Sequence, residues 1–165
     1  MNISTKMQNA INGQVQYELA SAYIYLAMSA HCEAEGWPGC AHWLRLQWQE
    51  EVGHATRLLN YVLRRGGRVT LEEIGKPPAK FTSLLTMFEQ VLEHEQKVTS
   101  RIHKLMDMAA SEKDHATVAE LQWFVNEQVE EEEQASRNVD LLKKIGKQET
   151  ALLLFDRRLA ERAAG

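Results

Sequence analysis

Four long stretches of the chain repeat apolar residues every three to four positions, and very little interrupts them. That period belongs to helices; the strict alternation of a strand is almost absent. Six of the 9 glycines and all 3 prolines gather in a few breaks: GWPG (36–39), RRGG (64–67) and GKPP (75–78), with weaker ones at SEKD (111–114) and KIGKQ (144–148). The spacing predicts helices over 5–34, 38–65, 83–112, 115–144 and 149–161. Pro38 suits the first turn of the second helix, and Gly66 with Gly67 suits its end.

Loop lengths then set the topology. The first two helices are joined by a few residues and so run antiparallel, as do the third and fourth. The 66–82 connection, ~17 residues, can span ~55 Å when extended. A helix of ~28 residues is only ~42 Å long, so this loop can travel the whole length of a bundle. Leu71, Ile74 and Phe81 give it side chains to bury. The expectation is an all-α fold: a four-helix bundle with one long crossover and a short fifth helix at its C-terminal end. With 165 residues, 44% of them hydrophobic, one domain (1–165, bundle 5–144) suffices for the core.

Acids outnumber bases 23 to 19, giving a formal charge of -4, which argues against a general nucleic-acid binder. No apolar run approaches the ~20 residues of a membrane span, and the first residues lack a signal peptide's apolar block. A cytoplasmic location is expected. Cys32 and Cys40 lie outside any CxxC motif and read as reduced thiols without a redox role.

Every long helix carries acid on its apolar stripe. Ile11, Val15, Ala22 and Tyr25 form the first face, completed by Glu18. Leu44, Trp48, Ala55 and Leu58 form the second, with Glu51 on it and His54 one turn on. Glu95 sits at the centre of Phe88, Val91, Leu92, Val98, Ile102 and Leu105. Gln128 and Glu131 interrupt Leu121, Phe124, Ala135, Val139 and Leu142. One such acid is commonly a side chain reaching out to water. Four in register are another matter, since carboxylates are almost never buried without a partner. All lie near mid-helix, so they meet at one level. Protonation or shared cations would relieve their repulsion.

The donor set indicates the metal class. Carboxylates with an imidazole suit iron or manganese, whereas structural zinc favours thiolates. Glu51 and His54, three apart, share a helix face. Di-metal carboxylate bundles carry a Glu on each of two helices and Glu-x-x-His on the other two. Here the fourth helix offers Gln128-x-x-Glu131 in place of the second Glu-x-x-His.

Through YELASAYIYLAMS (17–29), QEEVGH (49–54), EHEQ (93–96) and LQWFVNEQVEEE (121–132) the chain resembles the haem-free bacterial ferritins over essentially its whole length. The resemblance implies a homo-oligomeric shell of twenty-four subunits that oxidises Fe(II) at an intra-subunit di-iron centre, using dioxygen or hydrogen peroxide, and stores Fe(III) mineral. It implies that Glu18, Glu51 and His54 hold the first iron, and that bridging Glu51, Glu95 and Glu131 hold the second, beside Gln128. It matches Glu50, Glu127 and Glu130 to a third, outlying iron site; the run EQVEEEE (127–133) also reads as an ordinary solvated face. It matches Tyr25 to a tyrosine thought to supply an electron during oxygen reduction; core packing with a bound hydroxyl explains that residue equally.

Bacterioferritins place a haem-binding methionine just after the bridging glutamate. This chain has Val52 there, so no haem is expected. An all-oxygen second site should release iron more readily than one with imidazole. The segment TALLLFDRRLAER (150–162) needs cover for Leu152, Leu153, Leu154 and Phe155, either on its own bundle or on another subunit; the resemblance places it around four-fold axes of the shell. The alternative activity on this bundle is a rubrerythrin-like di-iron peroxidase without mineral storage. It normally needs an electron-delivery partner or an appended CxxC iron domain, and neither motif is encoded here.

Overall fold

The computed structural model describes residues 2–164. Among them it contains five helices and no strand: α1 (Thr5–Ala34), α2 (Pro38–Arg64), α3 (Leu84–Ser111), α4 (His115–Ile145) and α5 (Glu149–Leu159). The ends are set by caps. Ser4, Ser83 and Asp114 accept from Met7 N, Thr86 N and Thr117 N, so each lies just outside its helix. Gly66, at φ 70°, closes α2 with Gly67 N donating to Val62 O at 2.9 Å and Gly66 N to Leu63 O at 3.0 Å, the paired bonds of a Schellman end. α5 stops at Leu159, two residues short of the expected end. No helix of the described residues is long and apolar enough to cross a membrane.

Contacts at the two ends fix the helix directions. Ser4 donates to Glu112 at 2.6 Å, so the start of α1 meets the end of α3. Arg65 pairs with Asp114 at 3.0 Å, so the end of α2 meets the start of α4. The α2 and α3 helices therefore run the same way, and the crossover must climb the full bundle. It does so along α1. Gln8 accepts from Arg68 N, Asn12 donates to Arg68 O, Gln16 donates to Glu73 O, and His31 meets the Phe81 ring edge-on. Polar bonds from successive turns of α1 anchor the loop more than apolar burial does: Leu71, expected to be covered, is 63% exposed, and Ile74 and Phe81 are half-buried.

The bundle interior divides into two apolar halves. One is built around Tyr25, Cys32, Trp43, Phe88 and Val139, the other around Ile11, Leu58, Ile102 and Phe124. Along each long helix the change from one half to the other falls at the acidic positions. Cys32 and Cys40 are free, buried thiols in the first half.

The fifth helix folds back on its own bundle. Trp37 gives α2 no side-chain cap; instead the Asp156 carboxylate of α5 accepts from Gly39 N at 3.1 Å and Cys40 N at 2.8 Å. The orphan amides of a helix start are thereby satisfied from another element. Gly39 permits the approach, because a Cβ there would overlap the Asp156 carbonyl. Phe155 and Leu159 enter the core, while Leu153 and Leu154 remain exposed.

Candidate metal centre

The layer between the two apolar halves is polar throughout. Glu18, Glu51, His54, Glu95, Gln128 and Glu131 are all buried, none more than 4% exposed. Ligand atoms of Glu18, Glu51 and His54 lie within 4.8 Å of one another, and so do those of His54, Glu127 and Glu131. His54 thus stands between two convergent groups. Its ring is held edge-on to Trp123 and Phe124, with centroids 5.5 and 5.8 Å away.

Three glutamines fasten three of the glutamates. Gln14 donates to Glu18 Oε1 at 2.8 Å, Gln47 to Glu131 Oε2 at 2.9 Å, and Gln128 to Glu95 Oε2 at 3.2 Å. Tyr25, from α1, donates its hydroxyl to Glu95 Oε1. Behind it His94 presents its ring to Tyr25 and bonds Ser21, and burial lowers this imidazole to about 4, keeping it neutral. Glu95 is bonded through both oxygens and belongs to neither convergent group; the second group shares Glu131 with the expected second set and adds His54 and Glu127. Glu50 is half-buried and paired with Arg162, and Glu130 is exposed. Val52 lies 37% exposed on α2.

Burial, more than like charge, makes the layer resist ionisation. Burial, then the Glu18 and Glu95 charges, push Glu51 well above the usual carboxylate range. Burial raises Glu95 to about 7 against the bonds from Tyr25 and Gln128, and raises Glu131 to about 8, with Glu95 adding to it and Gln47 opposing. Burial also raises Glu127, and Glu130 and Glu50 add to that while His54 opposes it. Tyr25 is pushed well above its ordinary value by burial and then by Glu95 and Glu51, so it stays a neutral donor.

Two oxygens complete the picture. Glu18 Oε2 and Glu51 Oε2 are buried and bond to no protein group. A buried acceptor without a donor costs about 1–3 kcal/mol, more when charged. A divalent cation placed among Glu18, Glu51 and His54 would satisfy both at once. Hard oxygen donors with one imidazole fit Fe(II) or Mn(II).

Sequence reasoning passes over Gln14, Gln47 and two arginines, Arg101 and Arg162. The signal is present in part: Gln14 and Gln47 each precede a stripe acid by four residues, one helical turn.

Residues 8–145 match the ferritin-like domain family. The chain is similar to the bacterial non-heme ferritin of Bacteroides fragilis (strain 638R), 43% identical over 160 residues, covering 97% of this chain and 99% of that one. It is 35% identical to that of Staphylococcus aureus (strain USA300), covering 97% and 96%. Its structure superposes on the open pore ferritin of the hyperthermophilic archaeon Archaeoglobus fulgidus with a TM-score of 0.97 at 47% identity, covering 98% of this chain and 100% of the other. The match spans the four helices that carry the buried acids, and with these relatives sharing nearly their full length, the chain belongs to the ferritin family.

Proposed function

We propose that this protein is a cytoplasmic iron store with ferroxidase activity. Fe(II) enters the buried layer as substrate. Glu18, Glu51 and His54 bind one ion; Glu51, Glu131 and Glu95, the last released from Tyr25, bind a second, with Glu127 close to Glu131. Two Fe(II) give up one electron each; dioxygen takes both with two protons and leaves as hydrogen peroxide. The protein fixes the ions side by side and supplies anionic oxygens that favour Fe(III) over Fe(II). Mineral then accumulates inside a shell of, as the family resemblance implies, twenty-four copies.

The observation that carries this reading is the pair of unbonded, buried oxygens on Glu18 and Glu51 facing His54. Loading the purified protein with Fe(II) in air and counting iron per assembly tests it. Thousands of ions per particle are expected. One or two per chain, with peroxide turnover, would indicate a rubrerythrin-like peroxidase instead, and none would leave a helical scaffold.

A further inference from the structure

Two of the three glutamines that fasten the acidic layer are themselves held by arginine. Arg101 donates Nε to Gln14 Oε1 at 2.8 Å, and Arg162 donates Nη1 to Gln47 Oε1 at 2.6 Å. Occupying the amide oxygen leaves only the NH2 group to face the carboxylate, so the arginine decides which way the glutamine points. Arg101 lies within the bundle. Arg162 does not: it lies beyond α5, on the tail that follows Leu159.

That arginine is built in. Its side chain is 15% exposed, its guanidinium lies 4.8 Å above the Trp43 ring, and His42 Nε2 is 2.8 Å from its backbone carbonyl. Its Nη2 reaches Glu50 Oε2 at 2.7 Å while Nη1 holds Gln47. The planar guanidinium serves both at once, which a lysine ammonium on a single point could not reproduce.

We propose that Arg162 is a positioning residue for the metal centre: through Gln47 it aims Glu131 at the second metal position, and by pairing with Glu50 it withholds that carboxylate from an outlying cation. Docking of the tail thereby couples the two positions, favouring the inner one. This inference rests on the di-metal reading above.

Co(II), a redox-inert probe of oxygen and imidazole sites, tests it on the assembled protein. The measurements are visible absorption during titration, and cobalt anomalous scattering from soaked crystals. In the parent, cobalt is expected between Glu18, Glu51 and His54 and beside Glu131. Arg162→Gln should leave the first position filled, weaken the Glu131 position roughly 10-fold or more, and bring cobalt to Glu50. Gln47→Met should weaken the Glu131 position equally without admitting metal at Glu50, because the Arg162–Glu50 pair is intact. Arg162→Lys should keep Glu50 closed yet fail to restore the Glu131 position. Unchanged cobalt occupancy at every position in Arg162→Gln, with only a lower thermal midpoint, would make the arginine a mere clamp on the tail and overturn the proposal. Absence of cobalt among Glu18, Glu51 and His54 in the parent would overturn the di-metal reading itself, a separate result.

Discussion

His54 Nδ1 stands 3.7 Å from Glu51 Oε2, near enough to share a cation and too far to hydrogen-bond. One helical turn sets that separation, since residues three apart point to the same side. The oxygen has no other partner. Glu18, Glu95 and Glu131 each receive a glutamine, but Glu51 receives none, which suits the bridging role proposed for it.

Replacing Glu51 should therefore separate stability from function. Glu51→Gln removes a carboxylate that burial and its neighbours disfavour, so the metal-free protein should melt no lower than the parent at pH 8. The same change should abolish fast Fe(II) oxidation and most of the rise in melting temperature on adding Co(II). Stopped-flow oxidation and paired thermal scans read both. Parent-like oxidation by this variant would remove Glu51 from the centre.

The raised carboxylates give the metal-free protein a defined pH dependence. Glu95 and Glu131, at about 7 and about 8, hold protons more tightly folded than unfolded, where carboxyls titrate near ~4.3. The stabilisation is complete below the unfolded value and is lost as pH rises through 7 and 8. Melting temperature without metal should thus fall between about pH 5 and pH 8. Divalent cations compete with those protons, so their stabilising effect should grow over the same interval. A metal-free melting temperature that climbed from pH 5 to pH 8 would contradict the carboxylate shifts.

Much of this was legible in the chain because a carboxylate on an apolar stripe is conspicuous. Glu18, Glu51, Glu95 and Glu131 announce themselves that way, and the scarcity of breakers announces the helices. Uncharged Gln47 raises no such alarm, and its partner is on another helix. Asp156 is silent for a related reason: in LLLFDRRL it looks like surface charge, and only the packing of α5 on α2 turns it into a cap. Small errors of phase also enter. Trp48, expected on the buried stripe of α2, is half-buried, because Trp43 and Gln47 take the inward positions. That Glu127 converges with His54 and Glu131, while Glu95 is turned to Tyr25 and Gln128, depends on side-chain orientation, which periodicity does not specify.

Asp156 is the joint between α5 and the bundle. Asp156→Ala strands two buried amides, Gly39 N and Cys40 N. Bonds to a charged acceptor contribute about 1.5–3 kcal/mol, equivalent to roughly 5–10 °C in melting temperature for a chain of this size. Asp156→Asn keeps one acceptor oxygen and should lose less. Gly39→Ala should be worse than either, since the new methyl displaces the α5 backbone itself. Thermal scans at fixed protein concentration rank the three, and an Asp156→Ala midpoint equal to the parent's would show the cap to be dispensable.

The two faces of α5 should have different jobs, and substitution can tell them apart. Phe155 is 4% exposed inside its own subunit, so Phe155→Ala should cost about 3–5 kcal/mol and unfold the chain at lower temperature. Leu153 and Leu154 are 60% and 63% exposed, adjoining leucines that a folded subunit leaves in water. Such a pair fits a subunit contact. Leu153→Glu combined with Leu154→Glu should leave the helical circular dichroism of the subunit intact. It should also move its elution from a large shell to a small species. Removing residues 149–165 conflates the two effects, because Phe155, Asp156 and Leu159 leave with the exposed leucines. A double variant that still elutes as a full shell would mean that this face points to open solvent in the assembly.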